Sequence, residues 1–148
     1  ALALSVTSFS QDVNPDRSFT AGFNLHKFGF RSPTYAGLEN IRLGYWFHRY
    51  HQVGIEAGVL RVAGGGGSNP LAGAYYRFTG LDGVFHIFFE GHSKIWFQRN
   101  VISGNTRDIV FAVYGGLNFE LSEKFSVDAA FGWSSFDWDQ KLGFNFKF

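Results

Sequence analysis

Hydrophobic and polar positions alternate with a period of two along nearly all of this chain. Between Ser18 and Phe30, Phe19, Ala21, Phe23 and Leu25 share one parity, and Thr20, Gly22, Asn24 and His26 share the other. NIRLGYWFH sets Ile41, Leu43, Tyr45 and Phe47 against Asn40, Arg42, Gly44, Trp46 and His48. QVGIEAGV sets Val53, Ile55, Ala57 and Val59 against Gln52, Gly54, Glu56 and Gly58. LAGAYYRF carries Ala72, Ala74, Tyr76 and Phe78 on one side. GVFHIFFEGHSKIWF opposes Phe85, Ile87, Phe89, Ile95 and Phe97 to His86, Glu90, His92, Lys94 and Trp96. The pattern returns through Ile109, Phe111, Val113, Leu117 and Phe119, then through Phe125, Val127, Ala129, Phe131 and Trp133. It closes with KLGFNFKF, where Leu142, Phe144, Phe146 and Phe148 share a parity.

A period of two belongs to β-strands, whose successive side chains point to opposite faces. No segment holds the i, i+3, i+4, i+7 apolar stripe and caps of a helix. The pattern predicts eight strands, each near the roughly 9–11 residues that cross a bilayer when tilted. HRYHQ, TGLDG and ELSEK are expected as short turns. RSPTYAG (with Pro33 and Gly37), GGGGSNP (Gly64 to Pro70), NVISGNTRD and SSFDWDQ are expected as longer loops. Short turns at one end and longer loops at the other mark a bacterial outer-membrane barrel. GGGGSNP lacks the lysine of a phosphate-binding loop.

Eight alternating strands suit two folds. A soluble ligand-binding barrel turns its apolar parity inward, whereas a membrane barrel turns it to lipid and encloses the polar one. The second parity decides. It carries Arg42, Glu56, His86, Glu90, His92, Lys94, Asp128 and Lys147 with many Gly and Ala between, while the apolar parity is almost free of charge through mid-strand. An Arg or Lys facing lipid at midplane costs roughly 2–4 kcal/mol, so the uncharged face is the one that meets hydrocarbon. The fold class expected is all-β: an eight-stranded antiparallel up-and-down transmembrane barrel with a polar, plugged lumen. Residues 1–16 are expected as an N-terminal arm or residual signal-peptide segment, and residues 17–148 as the barrel.

Composition fits this picture. The 148 residues include 19 Phe, 19 Gly, 3 Pro and no Cys or Met, and aromatic residues favour sheet surfaces. The net charge of +1 points to no nucleic-acid partner. Without cysteine there are no disulfides and no thiol chemistry.

Charges inside a narrow lumen must pair, because an isolated buried charge is very costly. A hairpin folded about Tyr50 places Gly44 opposite Glu56, with Arg42 one diagonal step away. Folding about Phe136 and Asp137 places Asp128 opposite Lys147. Trp46 and Trp96 are expected to fill the bore. Tyr45, Phe47 and Trp133 suit an aromatic girdle at the membrane interface. Asp137, Trp138 and Asp139 are expected in a solvated loop.

Candidate chemistry is sparse. His92 and Ser93 are adjacent and therefore point to opposite faces, which rules out a catalytic dyad. His86, Glu90 and His92 share a face without an evident third metal ligand. No catalytic residue, metal or cofactor is expected.

The alternating last strand Leu142, Phe144, Phe146, Phe148 resembles the C-terminal signal of bacterial outer-membrane proteins. IRLGYWFHRYHQVGIEAGV and YGGLNFELSEKFSVDAAFGW are similar to the strand, short periplasmic turn, strand units of the small eight-stranded outer-membrane barrel family typified by the OmpA transmembrane domain. The likeness covers about residues 17–148. It implies residence in the bacterial outer membrane and contact with outer-membrane lipid and lipopolysaccharide. It also implies recognition of the C-terminal strand by the barrel-assembly machinery during biogenesis. The chain departs from OmpA proper in its short loops and in lacking a peptidoglycan-binding domain, so cell-wall anchoring is not carried over. The expected role is non-enzymatic: structural, adhesive, or a subunit bound to an envelope protein partner. A lipid A-modifying enzyme and a small porin are the alternatives.

Overall fold

The computed structural model describes residues 18–28, 35–62, 67–80, 85–100, 104–135 and 138–148. The expected N-terminal arm, Pro33, Gly64 to Gly66 and Asp137 lie outside the described residues. Eight strands form: β1 (Ser18–Phe28), β2 (Tyr35–His48), β3 (His51–Val62), β4 (Ser68–Gly80), β5 (Phe85–Asn100), β6 (Gly104–Ser122), β7 (Phe125–Ser134) and β8 (Trp138–Lys147). Each pairs antiparallel with its sequence neighbours, and β8 pairs with β1 to close the barrel. Closure leaves no sheet edge within the wall. The seam extends to the last residue, where the Phe148 N–H donates to the Phe19 carbonyl at 2.9 Å.

Following backbone partners around the wall links Ile109, Ile95, Ala72, Ala57, Ile41, Phe23, Phe144, Val127 and finally Phe119. The circuit starts and ends on β6, ten residues apart. With strands ~4.8 Å apart and a rise of ~3.3 Å per residue, that stagger tilts the strands by roughly 40°. Every residue on the circuit is apolar, and it runs along the outside.

Outward exposure settles which face meets what. Ile41 is 64% exposed and Ile55 and Ile109 are 63% exposed, whereas Arg42 and Glu90 are each 3% exposed. Phe85 and Phe111 also point outward. So continuous an apolar band, over a charged interior, is stable only against hydrocarbon.

The strands run further than the alternation indicates, β5 to 16 residues and β6 to 19. Parts of every expected connection belong to strands, including Ser68 to Pro70, Gly104 to Asp108 and Trp138 to Gln140. Backbone ladders pair N–H with C=O whatever the side chain, so polar residues above the membrane extend a strand without breaking it. Among the described residues, which leave out most of TGLDG, the turns proper are Arg49–Tyr50 and Glu123–Lys124. Ser122 Oγ accepts from the Phe125 N–H at 3.1 Å and fixes the second of these.

Two expected registers are corrected. Arg42 stands opposite Glu56, and Gly44 opposite Gly54, because an irregularity between Trp46 and His48 shifts the β2–β3 ladder. Asp128 stands opposite Gly143 rather than Lys147, because Trp133 and Trp138 already pair where a loop was expected. Asp139 and Trp138 are likewise corrected from loop to strand. Asp139 is fully buried in the lumen and Trp138 faces outward.

The interior has three tiers. At the turn end a polar mouth contains Trp46, Gln52, Thr79, His86 and Asn118. A charged network fills the middle. At the loop end Leu38, Leu60, Leu71, Trp96 and Val110 pack into an apolar cap. The expected polar lumen is thus apolar at one end. Outside that cap the wall becomes polar on β1, β2, β3 and β8, with Lys27, Glu39, Arg61 and Gln140 pointing outward, while Ile95, Phe97 and Ile109 keep it apolar on β5 and β6. An apolar interior beneath a polar exterior is the arrangement of a water-soluble fold, so on the first of these sides the strands run past the edge of the hydrocarbon.

Aromatic side chains share the bore with glycines. Gly44 and Gly54 are backbone partners; a Cβ at Gly54 would collide with the Tyr75 ring, and one at Gly44 with the Tyr75 hydroxyl and the Gln52 amide. The bare backbone there is the floor on which the ring lies.

Candidate functional site

The middle tier is built from lumen-facing positions of all eight strands. Arg42 on β2 reaches across the bore to Glu90 Oε1 at 2.8 Å and Asp128 Oδ2 at 2.7 Å. Its Nε donates to Asn145 Oδ1 at 3.0 Å. Arg77 on β4 meets the same two carboxylates, at 3.1 Å from Glu90 and 2.7 Å from Asp128 Oδ2, and its Nη2 donates to Asp128 Oδ1 at 3.0 Å. The Arg77 guanidinium also lies 3.9 Å from the centroid of Phe88, a fully buried ring. Asp128 accepts further from Asn118 at 2.6 Å and Asn145 at 3.0 Å.

Towards the loop end, Lys141 pairs with Glu90, and Lys94 with Glu56 at 3.1 Å. His92 sits between carboxylates, its Nδ1 2.7 Å from Glu56 and its Nε2 3.0 Å from Glu90. Asn40 donates to Glu56 at 2.9 Å and accepts from Asn24 at 2.9 Å. A second cluster joins His26 Nδ1 to Asp139 at 2.8 Å, with Tyr114 donating its hydroxyl to the same oxygen.

Among the described residues, four buried cations (Arg42, Arg77, Lys94, Lys141) face four buried anions (Glu56, Glu90, Asp128, Asp139). The bore is therefore closed by matched, hydrogen-bonded charge, the condition under which buried ions are tolerated. The remaining space is small. The turn-end mouth holds a cavity of about 40 Å³, and one of about 10 Å³ lies below the apolar cap.

The structure brings together Arg42, Glu56, Glu90, His92, Lys94 and Asp128 of the expected lumen residues. It separates two others. His86 lies at the turn end, 3.8 Å from Glu120, and Lys147 lines the mouth. Although Arg42 faces Glu56 across the ladder, its ion pairs are with Glu90 and Asp128. The bore is so narrow that opposite walls are within side-chain reach. His92 points into the lumen and Ser93 onto the outer wall. Among the described residues no group of three or more His, Asp and Glu side chains is arranged to hold a metal ion. Tyr45, Phe47 and Trp133 face outward, as do Leu142, Phe146 and Phe148, while Phe144 is half-buried on the same side.

Arg77, Tyr75, Phe88, Tyr114, Lys141 and Asn145 were not singled out from sequence, and Asp139 was expected in a solvated loop. Their signal was parity. Arg77 and Tyr75 alternate with outward Tyr76 and Phe78. Stepping back by twos from Lys147 gives Asn145, Gly143, Lys141 and Asp139.

An apolar outer band, a closed antiparallel ladder and a charge-paired bore together define an eight-stranded transmembrane β-barrel of the bacterial outer-membrane type. Solved structures of such barrels superpose on it. The N-terminal β-barrel domain of Pseudomonas aeruginosa OprF has a TM-score of 0.74 at 16% identity, covering 91% of this chain and 100% of that one. Neisserial surface protein A gives 0.63 at 11% identity, covering 89% and 96%. The Yersinia pestis outer membrane protein Ail, solved in a phospholipid nanodisc, gives 0.56 at 13% identity, covering 90% and 100%. No family model matches the chain, and no curated protein matches it by sequence. At these identities the likeness is one of fold.

Proposed function

We propose that this protein is a non-enzymatic, non-conducting barrel of the outer membrane, structural or adhesive in role, whose working surfaces are its outer wall and its loop-end rim. The observation that carries this is the sealed bore. Seven buried charges paired with one another, an eighth (Asp139) held by His26 and Tyr114, and an apolar cap occupy the space a channel or an internal active site requires. What is left for interaction lies outside: lipid and lipopolysaccharide along the wall, an envelope protein partner at the rim, and the assembly machinery at the Phe148 end of β8 during biogenesis. Support for the last comes from Leu142, Phe144, Phe146 and Phe148 forming one outward row on the strand that closes the barrel.

Planar-bilayer recording on the refolded protein tests the sealed bore. The expected result is an unchanged baseline, with no stable unitary steps. Reproducible channels of fixed conductance would favour a small porin and overturn the proposal.

A further inference from the structure

The bore is nearly full, yet a recess of about 500 Å³ opens on the outer wall across β7, β8 and β1. That is within the ~300–1,000 Å³ typical of ligand sites. Leu25, Leu142 and Ala129 lie side by side in one row of the wall, and Lys27, Gln140 and Phe131 in the next row towards the loop end. The space arises locally. Phe131 stacks on Trp138 at 5.2 Å and 11°, and Ala129, the neighbouring outward residue, offers only a methyl group. The recess is thus apolar along its length and polar at its loop end.

Lys27 and Gln140 are both exposed on the outward face, and among the described residues neither side chain has a hydrogen bond or ion pair. On the neighbouring part of the rim, Glu39 meets Arg61 at 3.1 Å. An unpaired ammonium and a free amide at the head of an apolar recess in a membrane-facing wall are complementary to an acylated phosphate. The acyl chain fills the recess, and the phosphate accepts from Lys27 Nζ and the Gln140 amide.

We propose that this recess binds lipid A, one acyl chain lying over Leu142 and Ala129 and one phosphate held by Lys27 and Gln140. The assignment rests on the outer-membrane reading above, in which the loop end faces the outer leaflet where lipid A resides. It adds a defined site to what is otherwise general contact with the bilayer.

Native mass spectrometry of the detergent-solubilised barrel titrated with lipid A, and separately with phosphatidylglycerol, tests it. Ala129→Phe fills the recess, Lys27→Gln removes the charge, and Ala72→Phe adds equal bulk to another outward alanine. Gel mobility before and after heating confirms that each variant is folded. Lipid A affinity is expected to fall roughly tenfold in Ala129→Phe and in Lys27→Gln, and to stay unchanged in Ala72→Phe. Equal binding by wild type and Ala129→Phe, or an equal loss in Ala72→Phe, would overturn the site. Equally tight, Lys27-dependent binding of phosphatidylglycerol would overturn lipid A as the occupant. The orientation is checked apart from binding. The chain has no cysteine, so Ser68→Cys at the loop end gives a unique label. Reaction with an impermeant maleimide on intact cells is expected. Reaction only after lysis would overturn the outer-leaflet placement, whatever the titrations show.

Discussion

Glu90 is the residue on which most of the interior converges. It is met by Arg42, Arg77, Lys141 and His92, contributed by three other strands and its own. Such a carboxylate stabilises less by its own attraction than by preventing its neighbours from becoming unpaired buried cations. Glu90→Gln keeps the volume and removes the charge. It is expected to lower the unfolding free energy by roughly 3–5 kcal/mol, the range for breaking a buried ion pair. Urea titration of the refolded barrel, followed by the loss of heat-modifiable gel mobility, measures this. A change below ~1 kcal/mol would mean that water reaches the middle tier and screens it.

At the scale of elements, the β2–β3 hairpin shows how backbone and bore are fitted to one another. The Gly44–Gly54 pair removes two side chains where Tyr75 crosses the lumen, so the Tyr75 side chain lies directly against the β2–β3 backbone. Gly44→Ala is expected to cost about 1–3 kcal/mol by overpacking. Combined with Tyr75→Ala it should cost less than the two single changes together, because the clash with the Tyr75 hydroxyl has gone and only the flexible Gln52 side chain must still give way. A double-mutant cycle in urea reads the coupling, and strict additivity would show that Tyr75 does not press on Gly44. None of this was visible in the alternation. Parity places Gly44, Gly54 and Tyr75 on one face, but the irregularity at Trp46/His48 that brings the glycines opposite each other depends on how the turn closes.

For the whole molecule, the membrane boundary is written twice, once on each surface of the wall. Outside, on β1, β2, β3 and β8, apolar residues give way to Lys27, Glu39, Arg61 and Gln140; inside, charge gives way to Leu38, Leu60, Leu71 and Val110. Both changes occur towards the loop end, which places the hydrocarbon between that level and the Phe47 and Phe148 rings. On β2, Leu43 lies midway along the outward row from Glu39 to Phe47. Leu43→Arg is therefore expected to destabilise the barrel in lipid by roughly 2–4 kcal/mol, and Phe47→Arg, at the turn-end margin, by only ~0–1 kcal/mol for the charge itself. Folding equilibria in lipid vesicles compare the two. Equal penalties would place the membrane elsewhere on the wall.

The sequence by itself determined that the chain is a barrel of eight strands and which parity faces lipid. These follow from a local rule, since adjacent strand residues point to opposite faces and a charge in hydrocarbon is too costly to retain. Only the tertiary structure decided the partners: Arg42 with Glu90 and Asp128 rather than the facing Glu56, Asp139 in the bore rather than in solvent, an apolar cap on a lumen expected to be polar. Those depend on the ten-residue stagger of the closed wall, which fixes the height of each strand against all the others. In a bore only two side chains wide, a shift of two residues changes every neighbour, and no period along one strand encodes it.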